Sequence, residues 1–226
     1  MHHWVVTIAY MSFNMDTLIT MWTAMLLLII LSIVATRNIS IVPNKVQYIF
    51  EKIIDYFANM TSANMGETES KKHLPLLLTL FLFILTANLL GQLPWRLIHL
   101  SSGELASPNN DINMTAAMAI VVSIYYVFFG VKKKGFKFFI ENFRIDGIIM
   151  ALVDLLELFV RPFSLALRLF ANIMAGEILV FTFVGMCSMF LPLPFMLFEI
   201  FVAVVQALVF TLLASTYITL AINHEE

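Results

Sequence analysis

The stretch that decides the fold is GIIMALVDLLELFVRPFSLALRLFANIMAGEILVFTFVGMCSMF, residues 147–190, which has no polar break long enough for a loop. As one α-helix at 1.5 Å per residue it would be about 66 Å long, roughly twice the hydrocarbon thickness of a bilayer. A fold-back near Arg161-Pro162 would leave only about 14 residues before the proline, too few for a full crossing. The sequence therefore predicts one long membrane helix that is steeply tilted or kinked. Just beyond it, Pro192 and Pro194 are predicted to break the chain before a last helix.

The composition of the whole chain also indicates a membrane protein. Of its 226 residues 61% are apolar and 12% are charged, whereas a soluble domain has about 45–50% apolar and about 25% charged residues. So few charges would leave large apolar patches exposed on a soluble globule. The formal net charge of −2 gives no basic surplus for a nucleic-acid partner. The single cysteine, Cys187, excludes an intrachain disulfide framework and a CxxC metal site.

Four further apolar segments complete the predicted architecture, because each has about the length that a transmembrane helix needs and none alternates as a membrane β-strand does. Between the first two, apolar residues from Val46 to Phe57 follow helical spacing, which predicts an amphipathic surface helix. The polar stretch from Thr61 to Lys72 is predicted to be a loop. The prediction is an all-α polytopic membrane protein of one domain, 1–226, with about five membrane-crossing helices (18–35, 74–93, 112–131, 147–190 and 197–223) and one surface helix (43–60).

The distribution of lysine and arginine sets the expected orientation, because cytoplasmic loops carry the excess of these residues. The loops after the first and third spans carry five each, whereas the loop after the second carries only Arg96 and the N-terminal segment carries none. We therefore expect the N-terminus outside and, after five crossings, the C-terminus inside. No basic segment precedes the first span, which predicts a retained helix rather than a cleaved signal peptide. The expected location is a bacterial plasma membrane, with the energy-transducing membrane of an organelle as the alternative.

Ionisable residues inside the apolar C-terminal third require an explanation, because a charge at the bilayer centre costs at least about 2.5 kcal/mol. Such residues usually face a bundle interior or an aqueous cavity. Three of them can pair on adjacent helical turns, and this trio is either an interfacial ion cluster or part of a functional site. The trio is Asp154, Glu157 and Arg161, and the other three are Arg168, Glu177 and Glu199.

Arg168 differs from the others because no acidic residue lies three or four positions from it. Since arginine does not lose its proton in a protein, it is a permanent positive charge that can block protons but cannot relay them. Glu177 and Glu199 can titrate, and with Gln206 and Asn172 they are suited to line aqueous paths. A fixed cation between titratable, hydrated paths is the arrangement that a gated proton route requires. The structural alternatives are an ion pair between Arg168 and one of the glutamates, or glutamates held by buried hydrogen bonds.

One long run and four shorter motifs match a known family in the family's own order. The long run is SLALRLFANIMAGE, Ser164 to Glu177. The shorter motifs are Asn88-Leu89-Leu90-Gly91 with Pro94, Asp111-Ile112-Asn113-Met114-Thr115, Lys132 to Gly135, and Gln206 to Phe210. Together they resemble subunit a of F-type rotary ATP synthases, and the resemblance extends from about residue 16 to the C-terminus.

The resemblance implies a stator subunit packed against a rotating ring of hairpin subunits, the c-ring, with the last two long helices steeply tilted along it. It implies that Arg168 is the essential arginine that attracts a ring carboxylate, helps to release its ion and separates two ion half-channels. The implied partners are the c-ring, the peripheral-stalk b subunits and the lipid bilayer, with no nucleic acid and no bound nucleotide, cofactor or metal. The other residues that match the family's ion pathway are Asn172, Gln206, Glu177, Glu199, Asp111 and Asn113.

Two positions depart from the common pattern of the family. Many relatives carry histidine at one of the Glu177 and Glu199 positions, whereas both are glutamate here, as in the chloroplast-like pattern. Ala171 stands where the family commonly has glycine, which affects how closely the helix approaches the ring.

The function implied is coupling of transmembrane proton flow, or sodium flow as the alternative ion, to rotation of the c-ring. The chain has no P-loop GxxxxGK[ST] for nucleotide phosphates, so we expect a non-catalytic, ion-translocating subunit. An alternative is an ion-coupled secondary transporter, although such folds usually show paired repeats and broken helices. A purely structural membrane scaffold is the third interpretation.

Overall fold

The computed structural model describes residues 5–8, 11–37, 39–92, 108–134, 148–186 and 192–222. Within these ranges the chain is almost entirely helical, and four of the helices (α1, α3, α4 and α6 as defined below) are long and apolar enough to cross a membrane. The prediction of an all-α polytopic membrane protein is confirmed. The helices are α1 (Met15–Thr36), α2 (Lys45–Met65), α3 (Glu67–Gly91), α4 (Ile112–Lys134), α5 (Ile148–Met186) and α6 (Pro192–Ile222).

Two short strands precede α1 and were not predicted. Strand β1 (Val5–Ile8) pairs antiparallel with β2 (Met11–Asn14), so that Val5 lies opposite Asn14. Four residues are too few for a period-two pattern to be recognised in a sequence. Because β2 leads directly into α1, this ribbon fixes the position at which the first helix begins.

The polar stretch between the predicted surface helix and the second span is helical, so the prediction of a loop there is wrong. α2 continues to Met65, α3 begins at Glu67, and Gly66 joins them with φ +81°. That left-handed conformation is open to glycine at no steric cost, which allows one residue to connect two helices. The hydroxyl groups of Thr61 and Ser70, both buried, hydrogen-bond across the corner at 2.5 Å. Two of the polar side chains here thus pair with each other inside the corner, whereas most of the others are exposed on the helices.

Of the prolines in the C-terminal helices, those at 192 and 194 differ from the prediction and Pro162 agrees with it. Pro192 and Pro194 lie in the first turn of α6 rather than in a break before it. Proline is favourable there because the first N–H groups of a helix have no intrahelical acceptor. Pro162 lies inside α5, which is continuous over 39 residues. The predicted absence of a fold-back at this proline is confirmed, and the helix is about 59 Å long at 1.5 Å per residue.

The centre of the described bundle is the antiparallel contact between α3 and α6. Buried residues of α3 include His73, Leu77 and Ile84, spaced for one helix face. The facing side of α6 alternates small and large buried residues, and small residues let the two helix backbones approach closely. The buried residues on α6 are Ala203, Gln206, Ala207, Phe210, Thr211, Ala214, Ser215, Ile218, Ala221 and Ile222.

The remaining helices surround this pair. α2 packs on α3, where the rings of Phe57 and Phe81 lie 4.8 Å apart, and α4 and α5 pack on α6 and on each other. α1 contacts α3 through its first half only, with Thr20 and Ala24 buried. Its second half is exposed, as at Ile30, and an apolar helix surface of this kind suits lipid.

We predict that Ala214→Leu destabilises the bundle, because Ala214 is fully buried between α6 and its neighbours. Extra methylene groups in a well-packed core typically cost about 1–3 kcal/mol. Thermal unfolding of the purified protein in mild detergent measures the effect. Ala117→Leu on the exposed face of α4 is the matched control and is expected to leave the midpoint unchanged. An equal shift for both variants would contradict the packing described here.

Candidate functional site

Arg168 lies near the middle of α5, and its side chain is exposed on the outer surface of the chain. Its guanidinium group forms no hydrogen bond or ion pair with any side chain that the structure describes. The alternative of an ion pair with Glu199 is therefore not supported, and the side chain of Glu177 lies outside the described residues. Ser164 and Asn172 lie one turn from Arg168 on the same face of α5, whereas the exposed side chains of Phe163 (64%) and Leu167 (36%) form a neighbouring apolar face. A permanent cation thus lies exposed between polar side chains of its own helix, beside an apolar surface.

One turn beyond Arg168, a pair of amide side chains joins α5 to α6. Nδ2 of Asn172 donates a hydrogen bond of 2.6 Å to Oε1 of Gln206. Gln206 is buried, and its Nε2 atom has no hydrogen-bond partner in the described part of the chain. Asn172 lies one helical turn from Arg168 on α5, and Gln206 joins it from α6. The Nε2 of Gln206 is thus a donor buried between the helices and unpaired among the described residues.

Glu199 lies two turns before Gln206 on α6, half-buried where three helices meet. Its carboxylate accepts a hydrogen bond from the side chain of Gln92, just after the end of α3. On the other side it faces Gly176 of α5, where a Cβ atom would overlap the carboxylate. A larger residue at 176 would therefore displace the Glu199 carboxylate from its present position. Glu177 is the next residue on α5, so the backbone brings the two predicted glutamates to the same level of the helix pair.

Two buried asparagines extend this polar region and were not predicted as site residues. Asn88 lies one turn before Gln92 on α3, and its Nδ2 donates to the carbonyl oxygen of Ala203 at 3.3 Å. Nδ2 of Asn109, in the 3₁₀ turn Pro108–Asn110, donates to Oδ1 of Asn88 at 2.6 Å. Neither side chain is accessible to solvent. The sequence does contain a signal for this region, because Asn88 and Gln92 are amides four residues apart in an otherwise apolar segment.

Asp111 and Asn113, predicted to line the outer access path, form the cap of α4. Oδ1 of Asp111 accepts hydrogen bonds from the backbone N–H and the Nδ2 of Asn113, at 2.9 and 3.0 Å. Its Oδ2 accepts a bond of 2.7 Å from Nδ2 of Asn14, the last residue of β2. A carboxylate in this position stabilises the positive end of the helix dipole. The cap also lies two residues from Asn109, so it borders the buried amides.

Glu157 and Arg161 form an ion pair on adjacent turns of α5, as the spacing predicted. The guanidinium group of Arg161 also lies 5.5 Å from the ring centroid of Tyr217 on α6, a cation–π distance. Both partners are partly exposed, and the side chain of Asp154 lies outside the described residues. This trio is well separated along α5 from Gly176, at the opposite end of the helix pair from Glu199.

The fold is that of a polytopic membrane protein in which a permanent cation, a carboxylate and several amides lie within long, largely apolar helices, where such residues usually have a functional role. The family model of the ATP synthase A chain matches residues 18–219. The chain is 40% identical over 216 residues to ATP synthase subunit a of Gloeobacter violaceus, which covers 96% of this chain and 87% of the relative. The chain belongs to the ATP synthase A chain family.

Membership confirms the family resemblance and gives the chain a general role. It is a membrane subunit of an ATP synthase, in which ion transport serves ATP synthesis, and its partners are other members of the membrane sector. The alternatives of a secondary transporter and a purely structural scaffold are set aside by this membership.

We predict that Asn88→Ala and Asn109→Ala each destabilise the protein by about 1–3 kcal/mol, because each leaves a buried amide group without its partner. The double variant is expected to cost less than the sum, since the second change removes the unpaired group. Thermal unfolding in detergent measures all three. The control is Asn59→Ala on the exposed face of α2, with no expected shift. Strictly additive effects would show that the two amides do not depend on each other.

Proposed function

We propose that this chain is the stator subunit that supplies two ion half-channels to a rotating c-ring, with Arg168 as the electrostatic separator between them. The observation that carries the proposal is the position of Arg168, exposed near the middle of α5 and one turn from the Asn172–Gln206 pair. The resemblance of the surrounding run to the family motif supports the same role. The proposal extends the family role to a specific residue and a specific partner.

The exposure of Arg168 favours a partner that brings a carboxylate. A permanent cation facing lipid costs at least about 2.5 kcal/mol, and a carboxylate within hydrogen-bond distance offsets this cost. A ring of subunits that each carry one membrane-embedded carboxyl group meets this need repeatedly as it turns. The exposed apolar residues Phe163 and Leu167, on the face of α5 next to the arginine, are suited to contact such a ring.

An arginine facing the ring separates ion paths because of its fixed charge. It stabilises the ionised form of a ring carboxylate and so favours release of the bound ion into one half-channel. It does not carry a proton across, because the guanidinium group stays protonated. Ions then enter from the other half-channel and neutralise the carboxylate before it moves into the apolar region. Each elementary charge that crosses 100 mV makes about 2.3 kcal/mol available for rotation.

The buried polar region around Glu199 supports an outer half-channel there. Glu199 contacts Gln92 and Gly176, and the amides of Asn88 and Asn109 continue from it towards the Asp111–Asn113 cap. These side chains offer donors and acceptors in a region otherwise lined by apolar helices. Glu177 is assigned to the same path by its place beside Gly176. The ion is the proton, with sodium as the alternative ion set by the ring.

The orientation proposed from the basic loops places the N-terminus outside and the C-terminus inside. The ends of α3 and α6 near Glu199 then lie at the outer surface, and the Glu157–Arg161 pair lies towards the inside. Peripheral-stalk b subunits are proposed as further partners, in a bacterial plasma membrane or, as the alternative, an organelle's energy-transducing membrane. The length of α5, about 59 Å by its helical rise, favours a steep tilt in a bilayer of about 30 Å.

We predict that Arg168→Ala reduces both coupled ATP synthesis and ATP-driven proton pumping to background while assembly of the complex is retained. The reason is that nothing then separates the half-channels or attracts the ring carboxylate. Pumping in inverted vesicles, with subunit composition measured in parallel, tests this. Arg37→Ala, at the exposed C-cap of α1, is the charge-matched control and is expected to pump normally. Normal pumping by Arg168→Ala would refute the proposed role.

We predict that an epitope tag fused to the C-terminus is accessible only from the inner side of the membrane. Antibody binding to right-side-out and inverted vesicles distinguishes the two orientations. A tag recognised only in right-side-out vesicles would overturn the topology and with it the assignment of the outer path.

A further inference from the structure

Lysines from two helices converge where α3 begins and α4 ends. Nζ of Lys72 lies 3.1 Å and Nζ of Lys133 lies 3.6 Å from the same carboxylate oxygen, Oε1 of Glu69. One carboxylate balances only one of these two positive charges. The side chains of Lys72 and Lys133 are 61% and 46% exposed, whereas that of Glu69 is 22% exposed. The amines are therefore more accessible to an outside anion than the carboxylate that holds them together.

The surrounding residues increase the positive charge of this cluster. Lys71 and Lys132 lie next to the two amines in sequence and are exposed, and Glu67 is the other acidic residue nearby in sequence. Four lysines against two glutamates leave a net charge of about +2 at the ends of two membrane-spanning helices, enough to attract a phosphate group.

A buried aromatic contact holds the two helix ends together beneath the lysines. Nδ1 of His73, on α3, lies 2.9 Å from the hydroxyl group of Tyr125 on α4. The His73 ring also meets the ring of Phe129 edge to face, with centroids 4.8 Å apart. His73 is fully buried. The lysines are therefore attached to a fixed joint between α3 and α4, and their relative positions are set by packing.

An exposed apolar column leads from the lysines along α4. Phe128, Ile124 and Val121 are 58%, 64% and 52% exposed, and their spacing of four and three residues places them on one helix face. Lys132 continues the same face one turn beyond Phe128, with its Nζ atom 5.8 Å from the Phe129 ring centroid. One surface thus combines amines at the membrane boundary with apolar side chains that extend into the membrane.

We propose that this surface, formed by Lys71, Lys72, Lys132 and Lys133 together with the Phe128–Ile124–Val121 column, binds an anionic phospholipid. Its phosphate would lie among the amines and one acyl chain along the column. A lipid is favoured over a protein because the apolar column is continuous with a helix surface long enough to span the bilayer. Basic residues at the ends of membrane helices attract anionic headgroups by about fivefold in affinity for each lysine.

The test uses the complete ATP synthase complex in nanodiscs that contain photoactivatable phosphatidylglycerol or, as the matched probe, photoactivatable phosphatidylcholine with the same acyl chains. Cross-linked peptides are located by mass spectrometry. Phosphatidylglycerol is expected to label residues 120–134 more strongly than phosphatidylcholine. Lys132→Gln combined with Lys133→Gln is expected to reduce the affinity about 30-fold, while replacement of both by arginine retains it.

The control removes the same charge elsewhere, with Lys45→Gln combined with Lys52→Gln on α2. This variant is expected to retain the labelling of residues 120–134, and all variants are checked for unchanged subunit composition. Equal labelling by both lipids, an equal loss in the α2 variant, or absence of labelling because another subunit covers this face would each overturn the proposal.

Discussion

The arrangement of the helices depends on one requirement: the buried side chain of Asn88 must find hydrogen-bond partners within the protein. A polar side chain buried among apolar helices is costly unless its hydrogen bonds are made within the protein. Asn88 meets this requirement with the Ala203 carbonyl group on α6 and the amide of Asn109 in the 3₁₀ turn. The bond to Ala203 fixes α3 and α6 in one antiparallel register, and the bond from Asn109 ties the 3₁₀ turn to α3. In that register the residues one turn further along, Gln92 and Glu199, also face each other, because residues four apart share a helix face.

The position of Glu199 then determines how α5 approaches. Its carboxylate occupies the space that a side chain at Gly176 would need, so the glycine lets α5 and this carboxylate lie side by side. Further along the same contact, Asn172 and Gln206 form their hydrogen bond between the two helices. Arg168 lies one turn before Asn172 on the same side of α5, and its side chain is exposed. The arginine is thus positioned at the edge of the contact that Gly176 and the Asn172–Gln206 pair make between α5 and α6.

Much of this arrangement is visible in the sequence, and the rest depends on tertiary contacts. Apolar runs and embedded charges identify the membrane helices and Arg168, because the bilayer imposes length and polarity directly. The prediction of a loop over Thr61–Lys72 was wrong because Thr61 pairs with Ser70 between two helices, a contact that composition does not reveal. Likewise, Gln92 belongs to the polar region only because Glu199 lies opposite it on α6. A local pattern tells which side chains are unusual in a membrane, but not which of them meet.

The exposure of Arg168 has a consequence for the life of the polypeptide before it is assembled. A copy newly inserted into the membrane presents this permanent charge to lipid chains, because no described side chain neutralises it. The same energetic cost that favours a carboxylate-bearing neighbour makes a solitary copy distinguishable from an assembled one. An unassembled copy is therefore expected to be less stable in the bilayer than one whose arginine meets the carboxylate of a neighbour.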